Sequence, residues 1–376
     1  MQSRLPSPIP LFKDDIPTPA LLVNLDLFER NLQKMADCLN QRRISFRPHA
    51  KTHRCPTIAK KQIALGAVGI CVAKLSEAEI MAASGIANIL ITSEIVGKPK
   101  IERLLSLSDR SPSLMAVVDH PAVVQDLVEA TEARKTALNL LIDIDGGTHR
   151  TGCVPGRAAL TLAQEICRSR WLRLRGIQCY AGRAAHTVGF EERRRYSEER
   201  LAEGLETKAM IEKHGMPVDI FTGGSTGTYD IDVAIEGFTE LQAGSYIFMD
   251  LDYRRIGSQR GESFQDFEYA LAVLTTVISQ SHVGLATVDA GFKAFSTDKP
   301  FVPELKHDPG VKFRWAGDEH GILDLEGAQQ AIKLGDRLEF IPPHCDPTVN
   351  LYDYIYAIRG GQVEEIWPVE ARGMSQ

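Results

Sequence analysis

The sequence predicts an α/β protein: a (β/α)8 TIM barrel followed by a mostly β domain, with a doubly wound sheet as the second choice for the first part. Three observations carry the prediction. Residues 20–250 alternate short apolar runs with longer amphipathic stretches, the pattern of repeated βα units. About eight strand candidates fall in that stretch, and eight units in roughly 230 residues is the size of a barrel. After about residue 255 the period changes to short β-rich runs broken by Gly, Pro and Asp.

The strand candidates, in order, are SFRPHAK (45–51), GICVAK (69–74), NILITS (88–93), LMAVVD (114–119), LNLLIDID (138–145), LRGIQCY (174–180), DIFTGG (219–224) and ELQAGSY (240–246). Helical patterns lie between them: LFERNLQKMADCL, SEAEIMAASG, KIERLLSLS, AVVQDLVEATEA and EERRRYSEERLAEGLETKAMIEKHG, the last ending in a glycine stop. Beyond the barrel, ALAVLTTVISQSH, GLATVDAGFKAF, RLEFIPPHCD, YIYAIRGGQ and VEEIWPVEARG read as strands, and AQQAIKLG as a helical pattern. The expected domains are a barrel over 20–255 and a β-rich domain over 256–376. The opening segment 1–19, with Pro6, Pro8, Pro10, Pro17 and Pro19, is expected to join the second.

Composition narrows the function. The 376 residues are 44% hydrophobic and 24% charged, ordinary values for a chain with a sizeable core. A net charge of -6 argues against nucleic acid as the main partner, and Arg193, Arg194 and Arg195 are flanked by glutamates, as on a solvated helix face. No apolar run reaches the roughly 18–20 residues of a membrane span, and the amino terminus lacks a signal-peptide core, so a cytoplasmic protein is expected. Seven scattered cysteines without a C-x-x-C pair suggest neither a disulfide framework nor a structural zinc knuckle.

Six segments offer chemistry. In RPHAKTHRCP (47–56), Lys51 ends the first strand with His49 and His53 on the same face for as long as the strand continues. A lysine in a barrel mouth is desolvated and becomes a nucleophile toward an aldehyde; the alternative is a surface lysine in a loop. TGGSTGT (222–228) follows a strand and converges backbone N–H groups and hydroxyls as a phosphate-monoester site would, or is a tight Gly-rich turn. ELQAGSY (240–246) repeats the theme one strand later. In PPHCDPTVN (342–350) an extended backbone would aim His344 and Asp346 to one side as an N/O ligand pair, with Cys345 turned away. In GGTHRTG (146–152) Arg150 could donate to a ring nitrogen or an anion, or cap a turn; GDEHG (317–321) reads as a polar hairpin turn.

Taken together, RPHAKTH, TGGSTGT, ELQAGSY, DEHG and HCDPT, in this order, resemble the D-threonine aldolase and D-serine dehydratase group of pyridoxal phosphate enzymes, which share an alanine-racemase-like fold. The resemblance runs from DIPTPALLVNLD (15–26) to the carboxyl terminus. It implies that Lys51 holds pyridoxal 5'-phosphate covalently, that Arg150 faces the pyridine nitrogen and that Tyr180 touches the cofactor. Thr222, Gly224, Ser225, Thr226, Gly244, Ser245 and Tyr246 are implied near the phosphate. His344 and Asp346 would hold a divalent metal, Mn²⁺ first, with Co²⁺, Mg²⁺ or Zn²⁺ as alternatives, and either a metal-bound hydroxide or a nearby histidine, His53 or His49, would take the proton of the substrate hydroxyl.

Aldolase-like members tend to read H-x-D at the metal site and dehydratase-like members H-x-C. His344-Cys345-Asp346 therefore favours an aldolase that cleaves D-3-hydroxy amino acids such as D-threonine to glycine and an aldehyde. The alternative is a dehydratase giving a 2-oxo acid and ammonia; a non-catalytic pyridoxal phosphate carrier is a third reading. Ala181 and Ser225 depart from the aldolase pattern and leave the substrate side chain open. The resemblance also implies a homodimer.

Overall fold

The protein is described by a computed structural model covering residue 9 and residues 11–376, so Pro6, Pro8 and Pro10 lie outside the described residues. The chain forms two compact units. One comprises Met35–Lys51, Ile58–Gly244 and Met374–Gln376; the other holds the leading segment to Lys34, Thr52–Thr57 and Ser245–Gly373.

The first unit is the barrel. Its eight strands are Ser45–Phe46, Ile70–Val72, Ile89–Ile91, Met115–Val118, Leu138–Asp145, Leu172–Tyr180, Ile220–Gly223 and Glu240–Leu241, one in each expected segment. From the second on, each pairs in parallel with the next, and the first pairs with the eighth. A bridge between His49 and Cys71, with Val68 N–H on Phe46 O and Cys71 N–H on Pro48 O, joins first to second and closes the ring. Strands covered on both faces read as continuous apolar runs; along Leu138–Asp145 every residue but the last is buried. The helices Leu75–Ala83, Lys98–Arg110, Pro121–Arg134, Arg157–Arg168 and Phe190–Lys213 follow strands two to six. Inside the ring, Arg47 reaches across the first–eighth seam with Nε and Nη2 each 2.9 Å from a Glu240 oxygen, both side chains buried.

The second unit is built on a nine-stranded sheet. Its path runs Lys312–Trp315, Gly321–Asp324, Leu285–Val288, Leu271–Ser279, Ala20–Asn24, Tyr354–Arg359 and Gln362–Pro368, with Arg337–Ile341 beside Leu271–Ser279 and Glu304–Leu305 beside that. The central Ala20–Asn24 is antiparallel to one neighbour and parallel to the other, so residues near the amino terminus fill the middle of this sheet. Phe295, Phe313 and Phe340 pack edge-to-face in its core, at 5.6–6.2 Å between centroids. AQQAIKLG is not a helix. The Asp308 carboxylate takes the Gln329 and Gln330 N–H groups at 2.7 and 3.4 Å, and the Ile332 carbonyl goes to Gln280, so the donors and acceptors of a helical turn are spent elsewhere. Among the described residues no helix is long and apolar enough to cross a membrane.

Candidate functional site

In the barrel unit, the first strand stops at Phe46 and Ala50–Thr52 make a single tight turn. The Lys51 N–H points at His49 Nδ1, 3.4 Å away, so a side chain draws the backbone out of the extended path. The shared face expected of His49, Lys51 and His53 is therefore lost. His49 is half-buried, with Nε2 3.1 Å from the Thr92 hydroxyl, and Lys51 is exposed rather than desolvated. His53, in the other unit, has no exposed surface, and its Nδ1 accepts the Cys55 N–H at 3.0 Å.

The Gly-rich loop leaves the seventh strand at Thr222. Gly224 has φ +79°, and a Cβ there would lie 2.6 Å from Leu241 Cδ1 and 2.8 Å from Asp232 Oδ2, a position that suits glycine alone. The Ser225 N–H donates to Thr228 Oγ1 at 3.1 Å, and the Thr228 and Ser197 hydroxyls both donate to the Asp232 carboxylate. Burial pushes Asp232 up to about 7, against those two donors. The Thr226 hydroxyl is enclosed and has no hydrogen-bond partner among the described residues. A buried hydroxyl left so is costly unless something else meets it.

Arg150 lies on the loop after the fifth strand. Asp145 shapes that loop by accepting the Gly147, Thr148 and His149 N–H groups at 2.9–3.1 Å and the His149 ring at 2.7 Å. Partial burial would raise the Asp145 carboxyl, but these donors hold it below its usual value. The Arg150 guanidinium stands 5.8 Å from the Tyr180 ring centroid, within cation–π reach. Sequence reasoning missed the polar residues inside this ring. Gln178 Nε2 donates to Asp143 Oδ1 at 2.8 Å; Gln242 Nε2 donates to Gln178 Oε1 at 3.2 Å and to Thr222 Oγ1 at 3.1 Å. A carboxylate in the apolar run LLIDID was the available signal.

Gly244 ends the barrel unit, while Ser245 and Tyr246 belong to the β unit. There the Ser245 hydroxyl donates to Asp346 Oδ1 at 3.3 Å, and the buried Tyr246 ring packs edge-on against Phe267 at 5.6 Å. His344 and Asp346 are not on an extended segment: His344 caps a short helix, Cys345–Val349. Asp250 causes the bend by taking the Cys345 N–H at 2.9 Å, and the Thr348 hydroxyl returns to His344 O at 2.8 Å. Asp298 Oδ2 meets His344 Nδ1 at 2.8 Å and Ser296 Oγ takes the His344 N–H at 3.0 Å, which leaves Nε2 as the ring nitrogen open to a ligand. Burial pushes the Cys345 thiol well up, helped by the Asp250 and Asp346 charges, so it stays an S–H donor toward Asp346 Oδ1 rather than a thiolate. Among the described residues no three His, Cys, Asp or Glu side chains are grouped to hold a metal, so the pair could supply only two ligands. GDEHG is the exposed hairpin turn between Lys312–Trp315 and Gly321–Asp324, closed by Ala316 N–H on His320 O.

Comparison with known proteins agrees with this architecture. Residues 23–252 match the family described as alanine racemase, N-terminal domain, and residues 270–358 match the putative serine dehydratase domain. The chain is 36% identical to 3-hydroxy-D-aspartate aldolase of Paracoccus denitrificans (strain Pd 1222), over 96% of this chain and 93% of that one. It is also 36% identical to D-threonine aldolase of an Arthrobacter species, over 96% and 94%. The crystal structure of D-threonine aldolase from Filomicrobium marinum superposes with a TM-score of 0.94 at 39% identity, covering 98% of this chain and all of that one. A fold of eight parallel strands in a ring with a separate β unit, matched along its whole length by aldolases, means that the chain belongs to the alanine-racemase-like family, in the group of D-threonine aldolase and 3-hydroxy-D-aspartate aldolase, and is a carbon–carbon lyase.

Proposed function

We propose that the protein is a pyridoxal-phosphate- and divalent-metal-dependent aldolase that cleaves D-3-hydroxy-α-amino acids of the D-threonine type to glycine and an aldehyde. What carries the reading is the full-length likeness to two aldolases named for D-3-hydroxy amino acids. The residues fit the cofactor: Thr226 offers an enclosed hydroxyl with no protein partner, beside a glycine position that admits no Cβ. They fit a metal in a limited way, as one imidazole nitrogen and one carboxylate, which leaves most of a coordination sphere to substrate and solvent.

Lys51 would hold pyridoxal phosphate through its exposed amine, and Thr226 with Ser225 would donate to the phosphate. Arg150, steadied over Tyr180, would direct a positive charge at the pyridine ring. When bound, the cofactor supplies an electron sink for the bond-breaking step and the cation polarises the hydroxyl. His344 would bind the cation through Nε2 because Asp298 occupies Nδ1, and the Ser245 hydroxyl would orient the Asp346 carboxylate. The enclosed His53 is a poor choice for moving the substrate proton unless its surroundings open.

A dehydratase is the second reading, favoured by the match of residues 270–358 to the serine dehydratase domain. Incubating the protein with pyridoxal phosphate, Mn²⁺ and either D-threonine or 3-hydroxy-D-aspartate separates the two. Glycine plus aldehyde, formed only when metal is present, supports the aldolase. A 2-oxo acid plus ammonia moves the assignment to the dehydratase, and full turnover after complete metal removal would remove the role given to His344 and Asp346.

A further inference from the structure

His49 is held by both its main chain and its ring. Its N–H lies 3.3 Å from Ala243 O, just past the eighth strand, and the bridge to Cys71 ties it to the second, so its backbone belongs to the closed ring. Its half-buried imidazole touches two groups of the same unit. Nδ1 receives the Lys51 N–H at 3.4 Å, and Nε2 stands 3.1 Å from the hydroxyl of Thr92, just past the third strand.

These contacts admit one arrangement of protons. A backbone N–H can only donate, so Nδ1 carries no proton where it meets Lys51. The ring is then neutral with its proton on Nε2, which donates to Thr92 Oγ1. Thr92 can accept because its own hydroxyl hydrogen goes to Val72 O, 3.1 Å away. The three donors run in one sense from the Lys51 N–H to a main-chain carbonyl, and Gln178 Nε2 holds the Thr92 carbonyl at 3.3 Å. The one ring nitrogen with a lone pair faces the lysine turn, and the other is a donor, so neither is placed to take a proton from a substrate.

A side chain that accepts the N–H two residues on makes the turn that Asn and Asp make with a side-chain oxygen. His120 makes the same turn with the Ala122 N–H, at 3.1 Å, where it starts a helix. At His49 it starts the Ala50–Thr52 turn, which carries Lys51 off the strand. We infer that His49 is a positioning residue and not the base: as a neutral imidazole bonded to Thr92, it sets the turn from which Lys51 presents its amine to an aldehyde. The inference rests on the cofactor reading above.

The test uses the full-length protein and two readouts. Nuclear magnetic resonance of isotope-labelled histidine reports the ring in the cofactor-free protein. At neutral pH the His49 signal, identified by its loss in His49→Asn, should show a proton on Nε2 and none on Nδ1; a proton on Nδ1 would overturn the inference. The second readout is labelling of Lys51. Its amine condenses with the aldehyde of pyridoxal phosphate, releasing water, and borohydride reduces the C=N bond so that peptide mass spectrometry counts the product. His49→Leu should slow labelling roughly tenfold, one hydrogen bond's worth. His49→Asn, whose side-chain oxygen can take the Lys51 N–H, should restore most of the rate. Should His49→Leu fail to fold, Thr92→Val removes the acceptor of Nε2 and Thr92→Ser keeps it; labelling should slow in the first and not in the second. Labelling at the wild-type rate in His49→Leu, or in Thr92→Val, would overturn the positioning role. So would a fully labelled His49→Asn that fails to cleave a D-3-hydroxy amino acid cleaved by wild type, the mark of a base. A wild-type protein that takes no label would instead overturn the cofactor reading, with the ring protons still deciding the state of His49.

Discussion

At the scale of single residues, His344 shows how a side chain becomes available for one bond. The Asp298 carboxylate on Nδ1 fixes both the ring plane and the tautomer, and the backbone of His344 is pinned to Ser296. Removing such an outer partner typically costs 10–100-fold in metal affinity. Asp298→Asn should accordingly weaken Mn²⁺ binding by about that range in calorimetric titration, with the melting temperature of the metal-free protein little changed. Thr226 gives a second prediction with opposite signs in two measurements. Its hydroxyl is enclosed without a protein partner, so Thr226→Val should leave the cofactor-free protein as stable or slightly more stable, while weakening pyridoxal phosphate binding by roughly tenfold. A merely structural hydroxyl would lower both or neither.

At the scale of elements, legibility followed the range of the forces. Barrel strands are buried on both faces, so Leu138–Asp145 and Ile89–Ile91 announce themselves as apolar runs. Ala20–Asn24 is just as apolar, but nothing local shows that its partners are Leu271–Ser279 and Tyr354–Arg359, some 250 and 330 positions away. The site motifs were found as sequences, and their backbones were misjudged where a side chain captured a main-chain group: His49 on Lys51, Asp250 on Cys345, Asp308 on Gln329. Gln178 and Gln242 escaped notice because a buried amide has no sequence signature until its partners are known. The seam between the first and eighth strands makes the third prediction. Breaking a buried ion pair by removing one partner costs about 3–5 kcal/mol. Arg47→Met should therefore lower stability in urea by that amount, leaving Glu240 charged and enclosed.

For the whole molecule, buried carboxyls set the response to pH. Asp232 is raised to about 7 by its burial and Asp143 to about 8 by burial and Glu94. A carboxyl raised in the folded state binds protons that the unfolded chain has released, so its contribution to stability falls as pH rises from the ordinary carboxylate range to the raised value. Groups held low, such as Asp145, act with the opposite sign in acid. The melting temperature should peak on the acid side of neutrality, and Asp232→Asn should flatten the decline between about pH 4 and 7; an unchanged slope would place the ionised form of Asp232 in the native protein. A ring of strands has no edge, but the seven-strand path through the second unit's sheet has two ends. One, Lys312–Trp315, carries Lys312 and Arg314; the other, Gln362–Pro368, is met by the leading segment, with Val363 N–H on Leu11 O, Lys13 N–H on Gly361 O and a bridge from Phe12 to Gln362. Unpaired strand edges invite addition of strands from other molecules, so Leu11, Phe12 and Lys13 serve as a guard against aggregation: deletion through Asp15 should produce a protein that folds and then self-associates with time, visible as growing light scattering at constant temperature.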